Sequence, residues 1–269
     1  MSGEAPTTGT RLDPILASVL RNAEARATAR GGPAVADPDP ARVTRFTRAL
    51  VGPGLSFIAE CKRRSPSVGR FSDEVDLGAR ARAYAEGGAA ALSILTEEDH
   101  FEGRPADLAA VEAAGLPRLR KDFLLTEDMV VESVARGADA VLLLAVCLEG
   151  SRLRDLRDAA RDLGLAVLLE VHDEAELERA IEVSPDCLGV NARDLRPFEV
   201  DLGVPERLIP RIPEGIVRVA ESGIHAPADA RRMLEAGAHA VLVGEALMKS
   251  GDPAATLTSW RTELSEDAR

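Results

Sequence analysis

A cycle recurs along this chain: a helix-like segment closes on glycine and alanine, and a short apolar run follows at once. It reads Glu86-Gly87-Gly88-Ala89-Ala90-Ala91-Leu92-Ser93-Ile94-Leu95 and returns as Arg136-Gly137-Ala138-Asp139-Ala140-Val141-Leu142-Leu143-Leu144. A third copy is Ala236-Gly237-Ala238-His239-Ala240-Val241-Leu242-Val243-Gly244. Glycine just past a helix accepts the left-handed backbone that ends it. An uninterrupted apolar run is what a strand covered on both faces requires. Apolar runs flanked by helical segments predict eight strands, near residues 56–61, 89–95, 117–121, 140–144, 166–171, 187–190, 216–220 and 240–243. Between them apolar residues keep helical spacing, as in Leu153, Leu156 and Ala160, or Ala175, Leu177, Ala180 and Ile181. Eight β/α alternations predict an α/β chain closed into a (β/α)8 TIM barrel. The alternative is an open doubly wound sheet, which loses ground because no Gly-x-Gly-x-x-Gly follows the first strand.

The first 54 residues read as a helical extension, and residues 55–269 as the barrel of a single domain spanning 1–269. Residues 1–10 are small and polar, and are expected to fray. Leu12, Ile15, Leu16, Val19 and Leu20 then mark a helix, with Asp13 as its cap and Pro14 in its first turn. A second, shorter helix is expected over residues 42–50.

Composition limits what such a barrel can bind. Aromatic residues make up 3% of a chain that is 45% apolar, so Ala, Val, Leu and Ile must fill the core. A net charge of −12 argues against general affinity for nucleic acid or anionic membrane, and an anionic substrate would need a local positive site. Cys61, Cys147 and Cys187 show neither metal spacing nor a disulfide framework, which fits a reducing, cytoplasmic setting. No apolar run has membrane-spanning length, and the N-terminus carries no signal-peptide pattern.

The lysines locate the chemistry. Of 33 basic residues only Lys62, Lys121 and Lys249 are lysine. Arginine keeps its proton, whereas lysine can lose one when its surroundings lower its pKa. Two of the three end apolar strand-like runs. In the first run, Ile58, Glu60 and Lys62 share one face and Phe57, Ala59 and Cys61 the other. Chemistry in a barrel sits at the C-terminal strand ends. Those ends carry Glu60 and Lys62, Thr96 leading to Phe101, Lys121 and Phe123, Glu170, Asn191 and Arg193, Glu221 and Ser222, and Gly244-Glu245. Gly223 and Gly244 follow the last two strands, where barrels often seat a phosphate on backbone N–H groups. The histidines show no ligand spacing, and no metal site is predicted.

The stretches Ile58-Ala59-Glu60-Cys61-Lys62-Arg63-Arg64-Ser65-Pro66-Ser67, Leu119-Arg120-Lys121-Asp122-Phe123, Leu169-Glu170-Val171-His172, Gly189-Val190-Asn191-Ala192-Arg193-Asp194-Leu195 and Glu221-Ser222-Gly223-Ile224 resemble indole-3-glycerol phosphate synthases. The resemblance runs from about Leu12 to the last helix. It implies conversion of 1-(2-carboxyphenylamino)-1-deoxyribulose 5-phosphate to indole-3-glycerol phosphate in tryptophan biosynthesis, with loss of CO2 and water and with no cofactor. It implies Lys121 as the acid that polarises the ketone, and Glu170, with Lys62, in proton transfer during dehydration. Glu60 and Asn191 are expected as a hydrogen-bonded pair near the anilino nitrogen, with Arg193 orienting that pair or the substrate carboxylate. Ser65, Phe101, Phe123, Leu142 and Leu242 are expected to contact substrate, and Glu221 and Ser222 to orient its polar groups. Lys62, Gly223, Gly244 and Glu245 are expected to hold the phosphate. The apolar fraction gives no reason to require a dimer, so a monomer without membrane or nucleic-acid partners is expected, in transient contact with neighbouring pathway enzymes. Arg104 stands where the family usually has a small hydroxyl residue. A related phosphate-binding barrel such as phosphoribosylanthranilate isomerase fits less well, because its Cys/Asp pair has no counterpart at these strand ends. A barrel that binds a phosphometabolite without turnover is the other reading.

Overall fold

The computed structural model describes residues 5–10, 12–32, 34–65, 68–71, 75–194 and 199–266. Pro66, Ser67 and Leu195 of the stretches above lie outside them. Among the described residues there are ten strands: β1 Ser56–Cys61, β2 Arg64–Ser65, β3 Gly69–Arg70, β4 Ala91–Leu95, β5 Arg118–Lys121, β6 Ala140–Leu144, β7 Ala166–Val171, β8 Cys187–Asn191, β9 Val217–Glu221 and β10 Ala240–Val243. The helices are α1 Asp13–Arg30, α2 Ala41–Leu50, α3 Leu77–Glu86, α4 Asp107–Ala110, α5 Glu127–Ala135, α6 Arg152–Asp162, α7 Glu174–Glu182, α8 Gly203–Leu208, α9 Pro227–Glu235, α10 Glu245–Lys249 and α11 Pro253–Glu266.

Eight parallel strands close in the order β1-β10-β9-β8-β7-β6-β5-β4, each bonded to its sequence neighbour and β1 closing on both β10 and β4. The expected eight strands are all there. Their apolar runs are buried throughout: β6 and β7 expose almost nothing. The repeated glycines do what the cycle requires, with Gly88, Gly137 and Gly237 in the left-handed region at φ +84°, +85° and +93°. The hairpin β2–β3 lies outside the barrel, just after the Lys62 end of β1.

Two helices precede β1, as the spacing predicts. Helix α1 buries Leu16 and Val19, and stops at Gly31, which is left-handed at φ +81°. Asp13 is not its cap in the usual sense: the cap position is Leu12, and the Asp13 carboxylate turns back to accept from the N–H groups of Thr8 (2.7 Å) and Gly9 (3.1 Å). Asp13 therefore ties down residues that composition alone leaves to fray. Helix α2 lies against β1, β4, β6 and β7, with Arg45 reaching Asp139 and the Gly115 carbonyl before the next strands begin. It covers the N-terminal end of the barrel, so the open mouth is at the C-terminal strand ends.

Candidate active site

One pocket occupies that C-terminal mouth. Alternation along each strand decides which residues reach it. At the end of β5, Arg120 points outward into the helix layer and Lys121 points inward. The Lys121 Nζ lies 3.0 Å from Glu170 Oε2 on β7 and 3.2 Å from Glu221 Oε2 on β9. Burial would favour the neutral amine. The carboxylates of Glu170, Glu221 and Glu60 outweigh it and hold the Lys121 pKa well above the ordinary lysine value. Lys121 is thus a cation, not the free base that lysine chemistry can also supply.

The two carboxylates differ. Burial opposes ionisation of Glu170, but Lys121, His172 and the Asn191 amide hold it far below the usual carboxylate range. Asn191 Nδ2 donates to Glu170 Oε1 at 2.7 Å. Glu221 is pushed up to about 7, chiefly by burial; Lys121 opposes this and Glu170 reinforces it. Its Oε1 has no hydrogen-bond partner among the described residues, and it packs against the bare backbone of Gly189. Their surroundings push the two acids apart, Glu170 toward the ionised form and Glu221 toward the protonated one, as in environment-split acid pairs.

Glu60 on β1 and Lys62 just past its end form an ion pair. Both abut Gly244, where a Cβ would stand 2.3 Å from Glu60 Oε1 and 2.9 Å from Lys62 Nζ. Lys62 also lies 5.7 Å from the centre of the Phe71 ring. Gly223 and Gly244 line the pocket beside Ser222, which is itself left-handed at φ +65°. The expected Glu60–Asn191 pair is not formed. Lys62 is two residues from Glu60, just past the end of the same strand, and takes its carboxylate, while Asn191 faces Glu170 across the β7–β8 register.

The remaining expected residues do line the pocket: Ser65, Phe101, Phe123, Leu142, Arg193, Ser222, Leu242 and Glu245. The Arg193 backbone N–H donates to Asn191 Oδ1 at 2.9 Å, fixing the amide so that its nitrogen faces Glu170. Glu245 is held by Lys249 at 2.6 Å. Lys249, the lysine that ends no strand, is exposed. Arg104 is exposed and outside the pocket; its backbone N–H donates to Asp107 at 2.9 Å, so it acts as a loop and helix-start residue.

Sequence reasoning missed two kinds of residue. Leu95 and Leu144 end their strands as further pocket lining. Glu97 accepts from the N–H groups of Asp99, His100 and Phe101, and so shapes the loop that carries Phe101. His172, two residues past Glu170 in one of the stretches that carry the resemblance, faces the Glu170 carboxylate. A buried-type carboxylate beside a polar loop was the available signal for Glu97. The two-residue spacing was the signal for His172. Among the described residues no cluster of metal-ligating side chains occurs, and no helix is long and apolar enough to cross a membrane.

Comparison with known proteins bears on what this mouth does. A sequence profile described as indole-3-glycerol phosphate synthase matches residues 36–259. An indole-3-glycerol phosphate synthase from a Nocardioides species is 51% identical over 223 residues, covering 82% of this chain and 84% of that protein. One from Mycobacteroides abscessus is 43% identical over 254 residues, covering 92% of each. Among solved structures, an N-acetylmannosamine-6-phosphate 2-epimerase from Clostridium perfringens superposes with a TM-score of 0.60 at 20% identity, covering 83% of this chain and 96% of that one. A thiamine phosphate pyrophosphorylase from Pyrococcus furiosus gives 0.58 at 18%, covering 82% and 98%. These two share the barrel fold.

Proposed function

Because the chain belongs to the indole-3-glycerol phosphate synthase family, we propose that the cluster around Lys121 carries that family's carboxy-lyase reaction. The supporting observation is the Lys121 ammonium, fixed between Glu170 and Glu221 and facing a wall of Phe101, Phe123 and Leu142. The wall suits the aromatic ring of 1-(2-carboxyphenylamino)-1-deoxyribulose 5-phosphate. The ammonium suits its ketone oxygen.

The ring carbon that bears the carboxylate attacks the ketone carbon, and the ketone oxygen gains negative charge. Lys121 donates its proton to that oxygen. Its raised pKa keeps it charged until the alkoxide develops, and an alkoxide is basic enough to take the proton. CO2 then leaves with its bonding electrons returned to the ring, which regains aromaticity. In the last stage the hydroxyl leaves as water after receiving a proton, and the adjacent methylene loses one to a carboxylate. Glu170 is the base and Lys62 the acid in this assignment. Glu60 holds Lys62 in place through their ion pair. Glu221, with its pKa near 7, carries the proton that restores Lys121. Substrate carboxylate plus one proton gives product, CO2 and water, so the site takes up one proton per turnover.

Lys62 also faces Gly244, so the same ammonium serves the phosphate end, with the backbone around Gly223, Gly244 and Glu245 completing the phosphate seat. Arg193 meets the substrate carboxylate, and Ser65, Ser222 and Leu242 complete the walls. The rest of the proposal is a cytoplasmic monomer that works as one domain, with residues 1–54 as its helical extension and 55–269 as its barrel. The test is direct. Purified protein mixed with the substrate should develop indole fluorescence above the background of Trp260, its one tryptophan. Lys121→Ala should abolish the signal. Substrate binding without turnover would refute the proposal.

A further inference from the structure

His172 stands one alternation beyond Glu170, at the turn between β7 and α7, and both its ring nitrogens face carboxylates. Nε2 is 3.1 Å from Glu170 Oε1, and Nδ1 is 3.0 Å from Glu176 Oε2. The ring is almost fully buried, with 6% of its side chain exposed. Glu176 sits in the first turn of α7 and also accepts the His172 backbone N–H at 2.8 Å. Asp173 caps that turn by accepting the Glu176 backbone N–H at 2.9 Å. The ring is therefore locked in orientation from the helix side. A neutral imidazole has one donor nitrogen and one lone-pair nitrogen, and the lone pair would meet a buried anion. An imidazolium meets an anion on each side. The approach of Nε2 to Glu170 is an ion pair and not an aligned hydrogen bond, so charge is what His172 supplies there.

We propose that His172 is a positioning residue: an imidazolium held by Glu176 that keeps Glu170 ionised and pointed at Lys121. This inference rests on the reading of Glu170 as a base in the proposed reaction.

The charges agree with it. The groups facing Glu170 are Lys121 from β5, Asn191 from β8, Glu221 from β9 and His172 itself. Of these only Lys121 and His172 are cations. Lys121 must release Glu170 when it turns to the substrate ketone, and His172 is the cation that stays. The Cys147 thiol lies near both Glu170 and Glu176, but burial, reinforced by those two carboxylates, pushes it up to about 12, so it brings no charge. Burial would neutralise His172; Glu170 and Glu176 reverse this and raise it to about 10.

Two measurements on the full chain test this. The first is the 15N spectrum of protein labelled at its four histidines, assigned by His172→Gln. Both His172 nitrogens should remain protonated at pH 8. A neutral His172 ring at pH 7 would overturn the proposal, whether or not the protein turns over the substrate. The second is the pH profile of kcat. In His172→Gln, which fills similar space without charge, Glu170 loses its resident cation. We expect kcat to fall about tenfold or more, KM to change less than about threefold, and the acid limb to move up by about one pH unit. Glu176→Gln should move the acid limb the same way by less, and serves if His172→Gln does not fold. Folded variants with the wild-type kcat and an unmoved acid limb would also overturn it. If wild-type protein shows no turnover, the reaction assignment falls, and the spectrum alone still decides the state of His172.

Discussion

Gly244 gives the space of its missing side chain to Glu60: a Cβ at 244 would stand 2.3 Å from the Glu60 Oε1. The two residues are on paired strand ends, since β1 and β10 are neighbours in the barrel. The glycine that sequence patterns assign to phosphate binding therefore also sets the position of the Glu60–Lys62 pair.

Gly244→Ala should accordingly damage activity more than stability. Gly244 has φ −118°, so it is not in the left-handed region that demands glycine. The methyl group would displace the Glu60 carboxylate and crowd Lys62. A displacement of about 1 Å in a reacting group costs on the order of 10²-fold in rate. Steady-state kinetics should show that loss, while thermal unfolding stays close to wild type.

Lys121→Ala should lose at least about 10³-fold in kcat, within the range a positioned acid supplies. Its stability should carry a second signature. Without the ammonium, Glu170 and Glu221 are left buried with no cation between them. Deprotonating both then costs more, so the stability deficit should widen from pH 5.5 to pH 8 in urea titrations. A deficit independent of pH would contradict the charge cluster.

Glu221 should impose its own pH dependence on stability. Its folded pKa is about 7 against an ordinary 4.5. A raised folded pKa means the native state binds the extra proton in between, so stability falls as pH rises through this window. The contribution is fully present below 4.5 and lost by the time pH passes 7. Glu170, shifted downward, adds no slope in the window because its contribution is lost only as pH falls below 4.5. His172, raised from 6.5, adds slope only above that pH. Glu221→Gln, which mimics the protonated acid, should flatten the decline between pH 4.5 and 6.5.

Arg120 is fully buried and bridges Asp122 (3.0 Å) and Glu132 (3.2 Å), with further bonds to Thr96, Ser133 and the Met129 carbonyl. Glu132 also holds Arg26 of α1 at 3.1 Å, which joins the helical extension to the strand that carries Lys121. Arg120→Leu would leave Asp122 without its arginine inside the protein. Breaking a buried pair of this kind costs about 3–5 kcal/mol. Arg26 and Thr96 retain part of the network, so about 3 kcal/mol is expected from chemical denaturation, with a smaller loss for Arg120→Lys.

The barrel was legible from the chain alone because its signal is local and repeated. A helix stop, a left-handed glycine and an apolar run recur at short range, and each depends only on neighbouring residues. The lysine usage was equally direct: where arginine fills nearly every basic position, Lys62 and Lys121 at strand ends mark the pocket, and both line it. Alternation along a strand then assigned inward and outward faces correctly for Glu60 and Cys61.

Tertiary structure decided the partnerships. Glu60 was expected to pair with Asn191, and it pairs with Lys62, because a same-face neighbour two residues away is closer than a strand across the mouth. Strand order and register decide which carboxylates meet at Lys121, since Glu170 and Glu221 lie far apart in the chain and converge only in the closed barrel. Their different proton affinities have the same origin. Glu170 is surrounded by Lys121, His172 and Asn191, whereas Glu221 keeps one oxygen unpaired against Gly189. Residue type and spacing determine which groups reach the pocket. Ionisation depends on burial and on charges a few ångströms away, and only the closed barrel brings those charges together.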